Sequence, residues 1–340
     1  MSNSTDNNDY TVLQCIQKYG QRDYLPPSKW RVPPMMYSFQ GSGNHLCRFL
    51  LEAGTGVLVG SVFYPDREIV RSFPGEVSCD WTVSAVLTHP YWLSFYDMTN
   101  HKHREFQANG KCRKGKGEIL EFKRAILLIR NPYDAIWSEF ERLSTGSHVG
   151  TISKKDFDWN IWGKKALLLA RIYNHTVGFE YHKLRQSFKP EDYIVIYFEN
   201  LSNQQTRLQQ VIRLVNFTQL QLDMGRAHCA SLLAEHGKTH RLSDRSKIMQ
   251  KKDVYTPELI CEMWKIFGPI ATQHGYSIWN NQDCTKTESV PKIWTSSGSV
   301  ASVYSSIPSN GQLPEFNANR PVNTRHQLLK PLFDTRKENK

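Results

Sequence analysis

The sequence predicts an α/β protein, a three-layer P-loop-like fold with a central parallel sheet flanked by helices. Three observations carry this. Residues 125–129, Ala-Ile-Leu-Leu-Ile, form an unbroken apolar run of the kind a strand buried on both faces shows. Shorter apolar stretches at 35–39, 83–87 and 194–197 alternate with helical patterns, which is the order of a parallel sheet covered by helices. A glycine-bearing turn, Ser38-Phe39-Gln40-Gly41-Ser42-Gly43-Asn44, stands between the first apolar run and an amphipathic helix.

Along the chain, residues 1–30 are polar and read as a flexible N-terminal segment, with Pro26-Pro27 and Pro33-Pro34 bracketing the entry into the first strand. The helix after the turn rests on spacing. Leu46, Phe49, Leu50 and Ala53 fall at i, i+3, i+4 and i+7, Asn44 offers a side-chain oxygen to cap the first turn, and Gly54-Thr55-Gly56 closes it. The strand at 83–87 ends at Thr88-His89-Pro90. Residues 101–116, rich in Lys102, Arg104, Lys111, Arg113, Lys114 and Lys116, read as an exposed basic loop, either simply solvated or steering an acidic acceptor.

After strand 125–129, Asn131 reads as an N-cap, Pro132 as the first helical residue and Asp134 as a first-turn carboxylate, so a helix begins at the strand's carboxyl end. That holds Arg130 where open α/β sheets bind ligands. Residues 157–188 carry a long helical pattern with Ile161, Ala166, Leu169, Ile172 and Tyr173 among its apolar positions. Helical stretches follow the 194–197 strand at 204–215, 220–235 and 257–273. From 281 to 340 the composition turns to Ser, Pro, Asn, Gln and Lys and reads as a disordered tail, leaving 31–280 as the one principal domain.

A formal net charge of +11 and a pI near 9.2 favour anionic partners. No nucleic-acid motif accompanies the charge. The seven cysteines are scattered, odd in number and free of Cys-x-x-Cys pairs, so neither a metal site nor a disulfide framework is indicated, and Cys47 reads as a small core residue. No run of eighteen apolar residues exists and the start lacks the order of a signal peptide, so the chain as written reads as soluble and cytoplasmic. Sequons at Asn3, Asn174, Asn200 and Asn216 are compatible with a secretory lumen.

The two-glycine turn lets backbone N–H groups converge on one point, at which the following helix aims its positive end. That is an anion site. It is not a Walker A loop, since Gly-x-x-x-x-Gly-Lys-[Ser/Thr] is absent, which argues against an ATP-dependent kinase. Together with Ile129-Arg130-Asn131-Pro132-Tyr133-Asp134-Ala135-Ile136, the turn resembles the sulfotransferase superfamily, closest to the sulfotransferase domain of WSC-domain-containing proteins. Gln40 stands where that group has proline. Further likeness lies at Pro74-Gly75-Glu76, Thr88-His89, Ser147-His148-Val149-Gly150, Tyr197-Phe198-Glu199-Asn200-Leu201 and Tyr255-Thr256-Pro257-Glu258, covering about residues 33 to 276.

The resemblance implies a sulfuryl donor, 3′-phosphoadenosine 5′-phosphosulfate (PAPS), and an acceptor glycan or small molecule, with no metal and no nucleic acid; by the family, the compartment is the Golgi. It places the 5′-phosphosulfate on Gly41, Ser42, Gly43, Asn44 and His45. It assigns the 3′-phosphate to Arg130 and Ser138, with Lys238 and Arg241 in a further phosphate-binding loop. It makes His89 the base that deprotonates the acceptor. Two lysines of the cytosolic enzymes are replaced here, by Gly41 and Leu87. Either Arg48, His45 or Lys238 substitutes for them, or the chain is a weak or inactive donor-binding relative.

Overall fold

In a computed structural model the described residues are 10–61, 72–88, 111–114, 118–147, 150–236 and 248–284. The expected three-layer architecture is borne out. Five strands, β1 (Met35–Ser38), β2 (Gly60–Ser61), β3 (Val86–Thr88), β6 (Ala125–Ile129) and β7 (Tyr193–Tyr197), form one sheet in the order β2-β3-β1-β6-β7, every neighbouring pair parallel. The register sets Met36 beside Leu87 and Ile126, and Ile126 beside Ile194.

Side chains of a strand alternate between faces, and the two faces carry different cores. On one, Met36, Ile126, Leu128 and Ile196 pack with α2 (Asn44–Thr55), α7 (Gln204–Phe217) and α8 (Met224–His236) through Leu50, Leu51, Val211, Leu214 and Ala230. The other carries an aromatic core built by α3 (Pro132–Thr145), α4 (Trp159–Tyr173) and α10 (Pro257–Gln273). There Trp162 lies 5.1 Å from Trp137, and Tyr133 5.1 Å from Phe267. The Trp162 indole donates to the Val254 carbonyl at 2.9 Å, so its polar edge is satisfied inside the core.

α3 starts as its sequence dictates: the Asn131 side chain accepts from the Tyr133 N–H, Pro132 follows, and Gly146 at φ 65° closes it. α4 is capped by Asp158 and runs through a π-helical stretch, Asn174–Glu180, into α5 (Tyr181–Ser187). Ile161, expected on the apolar stripe, is 48% exposed. Two short helices, α6 (Phe198–Ser202) and α9 (Lys251–Val254), follow strands and loops of this frame.

Three expectations are corrected. Residues 10–30 of the segment read as flexible include α1 (Val12–Tyr19), which has a Thr11–Gln14 capping box and a partner in α8, to which Cys15 is joined by a disulfide with Cys229. Cysteines that carried no framework signal are paired: Cys261 with Cys284 as well, and Cys79 is also disulfide-bonded, while Cys47 is free and buried. Within the segment read as a basic loop, β4 (Lys111–Lys114) pairs antiparallel with β5 (Glu118–Glu121), because the alternation of this hairpin was hidden among its charges. The tail 285–340 lies outside the described residues.

Candidate functional site

β1 runs into the glycine turn at the carboxyl edge of the sheet. Gly41 (φ +80°) and Gly43 (φ +93°) both adopt left-handed backbone, and both are pressed against neighbours. A Cβ on Gly41 would lie 2.3 Å from the Ala135 carbonyl oxygen of α3; one on Gly43 would lie 2.1 Å from the Phe198 ring. Only glycine satisfies both demands. Gly43, not Asn44, is the N-cap residue of α2, and among the described residues no side chain caps that first turn. The Asn44 side-chain oxygen instead accepts from the Ser38 hydroxyl at 2.6 Å. Ser42 is fully buried, and its Oγ has no hydrogen-bond partner among the described residues. An uncapped helix start and an unpartnered hydroxyl leave this turn equipped for an anion.

Arg130, at the end of β6, meets the turn directly. Its Nη1 donates to the Gly41 carbonyl at 2.7 Å, and its guanidinium lies 4.2 Å from the centroid of the Phe198 ring. The Arg130 carbonyl accepts from the Tyr173 hydroxyl at 2.8 Å, so both ends of the residue are fixed. Its Nε is buried without a hydrogen-bond partner among the described residues. Burial pulls the Arg130 pKa down, and the charge of Glu199 pulls it back up. Glu199 earns that place by a second contact: one carboxylate oxygen accepts from the Asn131 N–H and the other from the Tyr276 hydroxyl, each at 2.8 Å. The Tyr197-to-Leu201 motif is therefore a brace for Arg130 and the start of α3.

From Arg130 the part-exposed positions continue at Asp134 and Ser138, while Tyr133, Ala135, Ile136 and Trp137 between them are buried. Within α3 the four-residue spacing puts Asp134 and Ser138 along one face, and Arg130 stands just ahead of the helix, one residue before its N-cap. Lys251, from α9, forms an ion pair with Asp134, and its ammonium lies 4.3 Å from the centroid of the Trp279 ring. Burial first, and the charge of Arg130 second, push the Lys251 pKa down to about 8.

The structure thus brings together Gly41, Ser42, Gly43, Asn44 and Arg130, with Ser138 farther along, in the second turn of α3. The His45 ring faces Phe73 at 5.5 Å between centroids. Arg48 is corrected: it is fully buried, ion-paired with Glu76 and bonded to the Val59 carbonyl, so it is not a cation for a leaving group. His89, Lys238 and Arg241 lie outside the described residues. Phe198, Glu199, Tyr276 and Lys251 were not identified as site residues from sequence. Only the motif at Tyr197 could have pointed to the first two. Among the described residues no group of three or more His, Cys, Asp or Glu is placed to hold a metal, and no helix is long and apolar enough to cross a membrane. A groove of about 580 Å³ along the π-helical stretch, lined by Arg171, His175, Phe179 and Ile266, contains none of these residues.

No family model matches the chain. It is similar to a WSCD family member of Drosophila melanogaster, 26% identical over 228 residues, covering 66% of this chain and 61% of that protein. It is also similar to WSCD family members of Drosophila pseudoobscura pseudoobscura (28% over 200 residues, 58% of this chain and 54% of the relative) and Aedes aegypti (29% over 193 residues, 56% and 52%). The chain therefore spans between about half and three fifths of these relatives. A mouse sulfotransferase, SULT7A1, solved in complex with PAP, is 15% identical, with 72% of this chain and 89% of that one covered and a TM-score of 0.40. The resemblance to the WSC-domain-containing group, read from the motifs, is borne out by these relatives.

Proposed function

We propose that the chain is a sulfotransferase that takes its sulfuryl group from 3′-phosphoadenosine 5′-phosphosulfate and passes it to a hydroxyl or amine of a glycan or small molecule. The observation that carries this is the direct contact between the Gly41-Ser42-Gly43 turn and Arg130, two anion-binding devices at adjacent strand ends. The residues fit the donor. The uncapped start of α2 and the unpartnered Ser42 hydroxyl suit the 5′-phosphosulfate. Arg130, with Ser138 on the helix that follows it, suits the 3′-phosphate, which a planar guanidinium can grip through two oxygens.

In the transfer, the bond from sulfur to the bridging phosphate oxygen breaks and a bond from sulfur to the acceptor oxygen or nitrogen forms. Adenosine 3′,5′-bisphosphate leaves with the bridging electron pair, and the acceptor proton goes to a base. His89 is that base in this reading, the residue after β3, the strand beside β1. Backbone donors of the turn stabilise the charge that develops on the departing oxygen. The disulfides Cys15–Cys229 and Cys261–Cys284 support an oxidising lumen such as the Golgi over the cytoplasm.

Burial of Arg48 favours a second reading. With that cation committed to Glu76, fewer groups are left to replace the lysines absent at Gly41 and Leu87, and a donor-binding protein with little or no turnover results. Calorimetry with adenosine 3′,5′-bisphosphate tests the donor site. Binding weaker by about 10- to 100-fold in Arg130→Ala is expected from loss of charge-assisted hydrogen bonds. Equal binding by both proteins, or a preference for ATP, overturns the donor assignment. Transfer of labelled sulfate to a panel of acceptors then separates enzyme from non-enzyme. In His89→Ala the rate is expected to fall about 100-fold or more, with nucleotide affinity unchanged; an unaltered rate removes His89 as base.

A further inference from the structure

We propose that Lys251 is a second cationic arm of the donor site, parked on Asp134 and released to the 3′-phosphate when the nucleotide binds. The inference rests on the donor-site reading above and adds a residue that no motif indicated. Four observations lead to it.

The first is position. Asp134, the partner of Lys251, lies one turn before Ser138 on the part-exposed face of α3, and the ammonium is near enough to Arg130 to feel its charge, so Lys251 stands beside the two residues read as the 3′-phosphate grip. The second is a fixed root. The chain around Lys251 is tied to the aromatic core: the Val254 carbonyl accepts from the Trp162 indole at 2.9 Å, and the Tyr255 hydroxyl donates to the Tyr133 carbonyl at 2.6 Å. The long side chain can therefore swing without moving its backbone.

The third is the weakness of the parking contact. The Lys251 and Asp134 side chains are 31% and 26% exposed, and ion pairs with access to water contribute little, so a dianion competes for the ammonium. Trp279 supports the same motion. Its ring, wedged against Tyr133 and Tyr255 at 5.7 and 5.6 Å between centroids, offers the ammonium an electron-rich shelf outside the ion pair.

The fourth is charge. Around the end of β6 stand Arg130 and Lys251 against Asp134 and Glu199. Among the described residues, without Lys251 the two carboxylates outweigh the one guanidinium there, which disfavours a phosphate. With Lys251 the side chains balance, and the start of α3 adds its positive end.

The experiment is calorimetry on the full chain with adenosine 3′,5′-bisphosphate and adenosine 5′-monophosphate, using the unsubstituted protein, Lys251→Ala and Lys251→Arg. In Lys251→Ala the bisphosphate is expected to bind about tenfold or more weakly while the monophosphate changes by less than about threefold, so the preference for the 3′-phosphate collapses; Lys251→Arg restores most of it. A pH series adds a readout that a purely structural lysine would not move. With burial pushing the Lys251 pKa down to about 8, bisphosphate affinity is expected to fall between pH 7 and 9 in the unsubstituted protein and to stay level in Lys251→Arg. The other groups facing Lys251 do not confuse this. Burial raises the Tyr133 and Tyr255 phenols above this range. A preference for the bisphosphate that survives Lys251→Ala overturns this inference alone. An unsubstituted protein that binds neither nucleotide overturns the donor-site reading, and this inference with it.

Discussion

Gly43→Ala is expected to weaken adenosine 3′,5′-bisphosphate binding by at least about 100-fold and to destabilise the fold by about 3 kcal/mol. Two costs add. At φ +93° an alanine is held in backbone that L-residues avoid, which costs on the order of 1–3 kcal/mol. Its Cβ would also stand 2.1 Å and 2.4 Å from two carbons of the Phe198 ring, and overpacking of this kind costs a further ~1–3 kcal/mol. Relief can come only by moving Phe198 or the turn, and either breaks the site, since Phe198 is the surface on which the Arg130 guanidinium rests. Urea unfolding measures the first effect and calorimetry the second. Gly275 is the internal control. It has φ +78° but nothing within 4 Å of a new Cβ, so Gly275→Ala is expected to cost about 1 kcal/mol and leave nucleotide binding unchanged. If Gly43→Ala behaves like Gly275→Ala, the turn is a plain connection and not a cradle.

What the sequence disclosed and what it concealed divide along the range of the interactions. β6 and the start of α3 were legible because their signals are local: five apolar residues in a row, then Asn131 and Pro132 in the order a helix start requires. The glycine turn was legible for the same reason, except that its geometry gave the cap to Gly43 and turned Asn44 towards Ser38. Glu199 could be seen only as part of a motif, since its two partners, Asn131 and Tyr276, lie 68 and 77 residues away. Lys251 reaches Asp134 across 117 residues, and Cys15 pairs with Cys229 across 214; no spacing rule reports contacts that the tertiary fold creates. Arg48 shows the converse error. Its position between core residues of α2 left it reading as polar and available, whereas packing of the turn at Pro74 over α2 buries it completely.

Arg48 and Glu76 account for the other large expected effect. Glu76→Ala should destabilise the protein by about 3–5 kcal/mol, because it removes the hydrogen-bonded carboxylate of a guanidinium that is fully buried, leaving it, among the described residues, with the Val59 carbonyl at 3.1 Å, the Phe73 ring at 4.3 Å and the charge of Glu52. The damage should reach the site through α2. One turn on from Arg48, Glu52 accepts from the Val59 N–H at 3.0 Å, so both polar groups of Val59 fasten α2 to the chain entering β2, and loosening that clamp frees the helix whose start forms the anion turn. The double variant Arg48→Met with Glu76→Leu removes both charges and keeps the volume, and is expected to recover most of the stability, since apolar replacement of a buried pair is often neutral or better. Its affinity for adenosine 3′,5′-bisphosphate should then match that of the unsubstituted protein within about threefold, as a purely structural role requires. Urea midpoints and calorimetry on the single and double variants decide the matter: a Glu76→Ala protein within about 1 kcal/mol of normal shows that the pair does not hold α2, and a stable double variant that no longer binds nucleotide returns Arg48 to the donor site.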